Sequence, residues 1–267
     1  MEHGLQRLTE LPLSVRLIRE LHGILLDGVR GRERRPGELR TTQNWIGPAG
    51  ATIQTAVFVP PPPELLIDLL GDLENFIHAE PRLPPLVQAA LVHYQFETIH
   101  PFLDGNGRLG RLLIVFFLIV RDRLPAPLLY LSPDFEQRRD TYYAALQAVR
   151  EQGDIEGWLS LFLDAVTTQA TDAVQRANRL IDLREHYRTT VGAHARGLAN
   201  QVVDLAFQYP VLSAAVVERH LGGSRPAVIS ALRALEEAGV LTEAPNGPRR
   251  QLRWRAQGII DVLLGES

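Results

Sequence analysis

The sequence predicts a predominantly helical protein of two domains. The first is an all-α core carrying one short β-hairpin, and the second a C-terminal winged helix-turn-helix of three helices and two strands. Three observations carry this. Apolar residues recur at helical spacing through most of the first 190 positions. Within that span only TAVFV, 55–59, reads as β. From Gly197 onward the pattern shortens to three helical stretches and then VLTEAPNGPRRQLRWRA, two strand-like runs around Asn246-Gly247. The expected domains are 1–190 and 197–260.

The first helix, Leu13 to Asp27, lines up Val15, Leu17, Ile18, Leu21, Ile24 and Leu25 after a proline suited to a helix start. Residues 30–55, RGRERRPGELRTTQNWIGPAGATIQT, show no apolar period and read as a long loop, a feature that inside a compact domain is often functional. A hairpin arm follows at about 50–60, halted by Pro60 to Pro63, which stiffen the entry to a helix at 63–79. Helices are expected at 84–98, 106–121, 134–151 and 154–190, the last breaking near Thr167. The run Leu112 to Val120 is nine apolar residues between two arginines. That is far below the roughly 18 that cross a bilayer, so it predicts a buried helix. Farther on, helices are expected at 200–208, at 213–221 opened by Ser213, and at 225–238 closed by Gly239, with a turn at Gly222-Gly223-Ser224. There is no internal repeat.

Composition bounds the chemistry. With 267 residues and 45% of them hydrophobic, a sizeable core is available. The absence of cysteine excludes disulfides, thiolate metal sites and cysteine nucleophiles. No basic-then-apolar leader opens the chain, so a cytoplasmic location without membrane contact is expected. All 28 Lys-plus-Arg positions are arginine, which excludes a P-loop ending in Gly-Lys-Ser/Thr. The net charge is −3, yet residues 211–256 hold seven arginines against four glutamates.

The chemistry concentrates in HPFLDGNGRLGR, 100–111. Its GNGRLG matches the glycine pattern of dinucleotide loops, but a dinucleotide fingerprint must follow a strand and meet an acid about 20 residues later. Here PPLVQAALVHYQFETI precedes it with a helical pattern, and Leu124-Pro125-Ala126-Pro127 stands at that distance. A Rossmann reading fails on context. The helix from Asn106 is odd in another way. Arg108 and Arg111 oppose the dipole at its positive end, and Gly107 and Gly110 each weaken it by up to about 1 kcal/mol relative to Ala. An anion resolves the conflict: free N–H groups point at it, glycines let it approach and arginines fork onto it. A polyphosphate fits best. Asp104 is placed to hold a Mg²⁺ that bridges phosphates, and His100 to accept a proton near neutrality. Taken singly, each residue has an ordinary reading: a packed histidine, an N-cap aspartate, turn glycines and solvated arginines. Those readings together leave two arginines and two glycines unexplained. The set points to phosphoryl or nucleotidyl transfer.

HPFLDGNGRLGR closely resembles the signature of the Fic family, His-Pro-Phe-x-Asp/Glu-Gly-Asn-Gly-Arg-x-x-Arg, at every specified position. The likeness runs from about Leu11 to Ala170 through LPLSVRLIRELH, RRPGELRTTQNWIG, FVPPPPE and RRDTYYAALQAV, and is to the subgroup that often carries a C-terminal winged helix. It implies transfer of AMP from ATP to a Ser, Thr or Tyr hydroxyl of a target protein, the chain itself being one conceivable target, with release of pyrophosphate. By position, His100 would be the base and Asp104 the ligand of Mg²⁺ (or Mn²⁺). Gly105, Asn106 and Gly107 would form the anion hole, Arg108 and Arg111 would hold the β and γ phosphates, and Leu109 and Gly110 would complete the nucleotide loop. Thr55, Ala56, Val57 and Phe58 would form a target-docking flap, and Tyr142 and Tyr143 would lie near the adenosine, with core packing as the alternative for both. Phe102 would anchor the loop. Relatives that act as kinases carry Lys where this chain has Gly107, so nucleotidyl transfer is favoured.

Subgroup members also tend to carry an inhibitory Ser/Thr-x-x-x-Glu-Gly/Asn helix ahead of the core, whose glutamate pairs with the second arginine. No such motif is found. Ser132-Pro-Asp-Phe-Glu136-Gln137 ends wrongly and lies after the core, and Glu156-Gly157 has Gln152 where Ser or Thr is required. The expectation is a short form with Arg111 unrestrained. In the C-terminal module Arg225 and Arg233 on the recognition helix, and Arg249, Arg250, Arg253 and Arg255 on the wing, form a stripe suited to DNA phosphates, while protein binding or homodimerisation is the other use of such a module. The rival expectation is a transcriptional regulator in which the nucleotide site only senses ATP.

Overall fold

The computed structural model describes residues 1–27, 35–80, 83–192, 197–244 and 252–265. The chain divides into two compact units, Met1–Ala170 and Thr171–Ser267. In the first, α1 (Glu2–Leu8) and α2 (Val15–Leu26) are followed by a long irregular segment and a 3-10 turn, Pro63–Leu65. Then come α3 (Leu66–His78), α4 (Pro85–Ile99), α5 (Asn106–Val120), α6 (Ser132–Gln137) and α7 (Arg139–Gln152). Helix α8 (Ile155–Gly192) begins in the first unit and ends in the second.

Ser14, rather than Pro12, caps α2, its hydroxyl accepting from the Leu17 N–H at 3.4 Å. The apolar run predicted to be buried is the centre of the unit: Leu113, Ile114, Phe116, Phe117 and Leu118 of α5 are all within 1% of full burial. They pack with Phe96 and Ile99 of α4 and with Trp158 and Phe162 of α8. Burial of this kind contributes about 1.5–3 kcal/mol per large side chain, so α4 and α5 are the rigid frame from which the turn between them projects.

Three expectations are corrected. Residues 132–152 form two helices meeting at Arg138, because the Ser132-Pro133 start opens a separate short helix. Helix α8 does not break near Thr167, whose hydroxyl bonds back to the Leu163 carbonyl at 2.8 Å within the helix. The expected flap hairpin is a single antiparallel bridge, Ile46 to Phe58, with two amides, Val57 and Phe58, donating to the Ile46 carbonyl. Pro60 to Pro63 lack the N–H groups that would extend it.

The second unit holds the end of α8, α9 (Leu198–Gln208), β1 (Val211–Leu212), α10 (Ala214–Leu221), α11 (Arg225–Glu237), β2 (Thr242–Ala244), β3 (Arg253–Arg255) and α12 (Gln257–Leu264). Its sheet has the antiparallel order β1-β3-β2, so β1 is a third strand beyond the two expected, pairing Leu212 with Trp254. Ser213 caps α10, as read from the sequence. Trp254 is buried, and its indole N–H donates to Glu236 of α11 at 3.1 Å. Arg249 and Arg250 lie outside the described residues. No described helix is long and apolar enough to cross a membrane.

Candidate active site

Helix α4 ends at His100, which adopts a left-handed conformation, φ 49° and ψ 60°, and whose amide still closes onto the Phe96 carbonyl. For a residue with a Cβ this conformation is strained by about 1–2 kcal/mol. Arg40, a fully buried arginine from the irregular segment, holds it there. Its Nε donates to the His100 carbonyl at 2.9 Å, and its Nη2 donates to Ile99 at 3.3 Å and to the Pro61 carbonyl. A cation thus satisfies the last carbonyls of α4, where the helix dipole favours one. Burial, with the charges of Arg40 and Arg150 adding to it, pushes the His100 imidazole down to about 4, so it is neutral at physiological pH.

At the far side of the turn Gly105, at φ +80°, opens α5. This is a conformation glycine adopts freely. Asn106 is buried and spends its side chain as a staple: Oδ1 accepts from the Phe102 N–H at 2.9 Å and Nδ2 donates to the Phe102 carbonyl at 2.8 Å. Phe102 itself is fully buried, as expected of an anchor. The amides of Asn106, Gly107 and Arg108, at the first turn of α5, have no partner within the helix. Gly107 lies 3.3 Å, measured from where a Cβ would stand, from Nη1 of Arg111. Arg111 Nε donates to Ser132 at 3.0 Å, whereas Glu136 of the same sequence string is exposed and pairs with Arg139.

Asp104 is half exposed, with Oδ1 accepting from the Gly105 N–H at 2.6 Å and lying 4.0 Å from Arg108 Nη2. Among the described residues no three His, Cys, Asp or Glu side chains cluster. One open carboxylate fits a divalent cation only where outside oxygens such as those of phosphates complete its shell, and does not make a closed protein cage.

Leu109 and Gly110 face the core. A Cβ on Gly110 would stand 2.5 Å from Glu97 Oε1 and 3.2 Å from the His93 ring, so the glycine there makes room for buried side chains. Glu97, unmentioned by any motif argument, is buried with Oε1 unpaired, and burial raises its carboxyl to about 7 despite Arg111 and Arg150. Tyr142 is buried and meets His93 Nε2 at 2.9 Å, fitting the core-packing alternative. Tyr143 is 47% exposed and lines a cavity of about 420 Å³ between the flap and α7. Val57 and Phe58 form one wall, Gln147 and Arg150 the other, and Glu97 also borders it. The Arg150 guanidinium sits 3.8 Å over the Phe58 ring, and Gln147 donates to the Val57 carbonyl at 3.3 Å. Thr55 closes a turn on Thr52, its hydroxyl accepting from the Thr52 N–H at 2.9 Å, and Ala56 follows half-buried.

A strained histidine and a glycine-opened helix start, joined by one stapled turn inside a helical core, bring a neutral imidazole close to the unpaired first amides of α5. Residues 12–118 match the model of the Fic/DOC family. It is 30% identical over 171 residues to "Protein adenylyltransferase fic-1" of Caenorhabditis briggsae, covering 60% of this chain and 30% of that protein. It is 34% identical over 157 residues to "Protein adenylyltransferase Fic" of Drosophila grimshawi, covering 58% and 29%. The chain therefore spans about 30% of the length of these curated relatives. A Fic family protein of Desulfovibrio desulfuricans shares the fold with a TM-score of 0.54 at 24% identity, over 91% of this chain and 68% of that one.

Proposed function

We propose that this chain transfers AMP from ATP to a hydroxyl side chain of a protein and releases pyrophosphate. The observation that carries the proposal is the neutral imidazole of His100 on the same turn as the open first amides of α5. The phosphates lie against the amides of Asn106 to Arg108, with Arg108 and Arg111 on the β and γ phosphates. Asp104 would hold Mg²⁺ or Mn²⁺. When bound, the ion offsets phosphate charge and favours departure of pyrophosphate. The target hydroxyl oxygen bonds to the α-phosphorus, the bond from that phosphorus to the bridging oxygen breaks with its electrons leaving on pyrophosphate, and the hydroxyl proton passes to His100. The segment Thr55 to Phe58 lays the target across the site, and Tyr143 borders the adenosine. The similarity to proteins named protein adenylyltransferases supports the same class of reaction.

The test compares ATP radiolabelled on the α or the γ phosphate, with Mg²⁺ and cell lysate, for the natural chain and His100→Ala. Protein labelled from the α position alone, and not by the variant, supports the proposal. Labelling from γ indicates a kinase, and no labelling from either rejects transfer from ATP. Nucleotide binding should survive in His100→Ala, because the phosphate contacts are untouched.

A second reading concerns the C-terminal unit. The order α9, β1, α10, α11, β2, β3 supports a winged helix, with α11 as its recognition helix. Arg233 and Arg255 are exposed, but Arg225 is held by Glu218 at 3.2 Å. Binding to duplex DNA with a steep salt dependence, and no modification of any protein, would favour the regulator over the enzyme.

A further inference from the structure

His22 lies on α2, distant in sequence from the turn it touches, and is fully buried. Its Nδ1 accepts the backbone N–H of Gly37 at 2.9 Å. A backbone amide can only donate, so Nδ1 carries no proton, the ring proton is on Nε2, and Nε2–H donates to the Asp104 carbonyl at 2.9 Å. The ring stacks on Phe102 with centroids 3.8 Å apart and planes 12° from parallel. Two of its atoms also come within 3.5 Å of where a Cβ of Gly105 would stand. One imidazole therefore touches three residues of the turn that joins α4 to α5.

We infer that His22 is a positioning residue that aims the Asp104 carboxylate at a cation-bearing triphosphate, through its hydrogen bond to the Asp104 carbonyl. The inference rests on the nucleotide reading above. The Asp104 carbonyl and the Gly105 N–H belong to one rigid peptide plane, so holding the first fixes the second. That N–H in turn holds Asp104 Oδ1 at 2.6 Å, which sets the direction of the free carboxylate oxygen. With the carbonyl released, plane, amide and carboxylate would turn together, and the cation-dependent part of nucleotide binding would be lost while the arginine contacts remained. The bond to Gly37 serves a different segment, so the two halves of the ring can be separated by substitution.

A glutamine at position 22 places an amide nitrogen where Nε2 stands and keeps the donor to Asp104. An asparagine places an oxygen where Nδ1 stands and keeps only the acceptor for Gly37. The experiment is isothermal titration of ATP into the whole natural chain, H22Q and H22N, each with excess Mg²⁺ and with EDTA, after thermal melts establish that the variants are folded. The readout is the ratio of the two affinities, which a merely structural role would not move in one variant and spare in the other. H22Q should keep the natural ratio within about threefold, whereas H22N should reduce it about tenfold, the effect of one lost hydrogen bond. A folded H22N with the natural ratio, or an H22Q that loses it, overturns the inference. If H22N does not fold, H22Q alone decides. A natural chain that binds ATP equally with and without Mg²⁺ overturns the inference and leaves the nucleotide reading standing, while one that binds no ATP removes both.

Discussion

Arg40 donates from Nε to the carbonyl of His100 at 2.9 Å, so the residue proposed as the base is held by a buried guanidinium through its backbone. Replacing Arg40 with Met should lower stability by about 2–4 kcal/mol, since two or more carbonyls at the end of α4 lose their donor. Transfer activity should fall more than stability alone explains, because His100 is free to leave its left-handed conformation. Arg40→Lys should not rescue either, as one ammonium cannot reach carbonyls of Pro61, Ile99 and His100 as the fork does. Chemical denaturation together with transfer rates at saturating ATP would check both.

Gly110 and Glu97 should be energetically coupled. Gly110→Ala puts a Cβ 2.5 Å from Glu97 Oε1 and should destabilise by about 1–3 kcal/mol through overpacking, although alanine is the better helix former. In a Glu97→Ala background the same change should cost at least about 1 kcal/mol less. Additive effects in that double-mutant cycle would show that the glycine serves something other than packing.

Tyr142 and Tyr143 should separate cleanly. Tyr142→Phe removes the partner of His93 Nε2 and should cost about 1 kcal/mol of stability with ATP affinity unchanged. Tyr143→Ala, on the cavity wall, should weaken ATP binding and change stability by less than about 0.5 kcal/mol. Melting temperatures and nucleotide titrations on the two variants decide this.

Acid should destabilise the fold earlier than its carboxylates alone would. Burial lowers His93 and His100 to about 4 from 6.5, so between those values the unfolded chain binds more protons at both. Glu97, raised to about 7, opposes them by one proton. The balance favours unfolding as pH falls, by about 1.4 kcal/mol per pH unit between roughly pH 6 and 5. His22, also lowered by burial, acts in the same direction. Stability that is flat or rising on going from pH 6.5 to 5 would contradict these burial-driven shifts. For the same reason the acid limb of kcat/KM should fall nearer pH 4–5 than 6.5.

The frame and the turn were legible in the sequence because their signals are local. The apolar run of α5 and the polar set of 100–111 each sit in one stretch. What escaped was brought in from a distance. Arg40 and His22 look like ordinary members of an arginine-rich loop and an amphipathic helix, and Glu97 is one polar residue in an otherwise helical pattern. Only a guanidinium or imidazole carried by the fold to the turn reveals a role. Elements too short for periodicity, such as α1 and the two-residue β1, were missed for a different reason: a turn or two of helix and a pair of residues hold too few positions to show a repeat. Leu109 and Gly110 group with the nucleotide loop when the motif is read as a line, whereas a helix winds one side of its first turns, here these two neighbours, into the core.

The turn between α4 and α5 enters through a left-handed histidine and leaves through a left-handed glycine, with both ends continuous with the best-buried helices of the unit. It therefore inherits the precision of the hydrophobic interior, not the looseness of a surface loop. Shortening Leu113 to Val, at a position that does not meet solvent, should shift His100 against the first amides of α5, so that the transfer proposed above would become a gauge of how well the interior is packed.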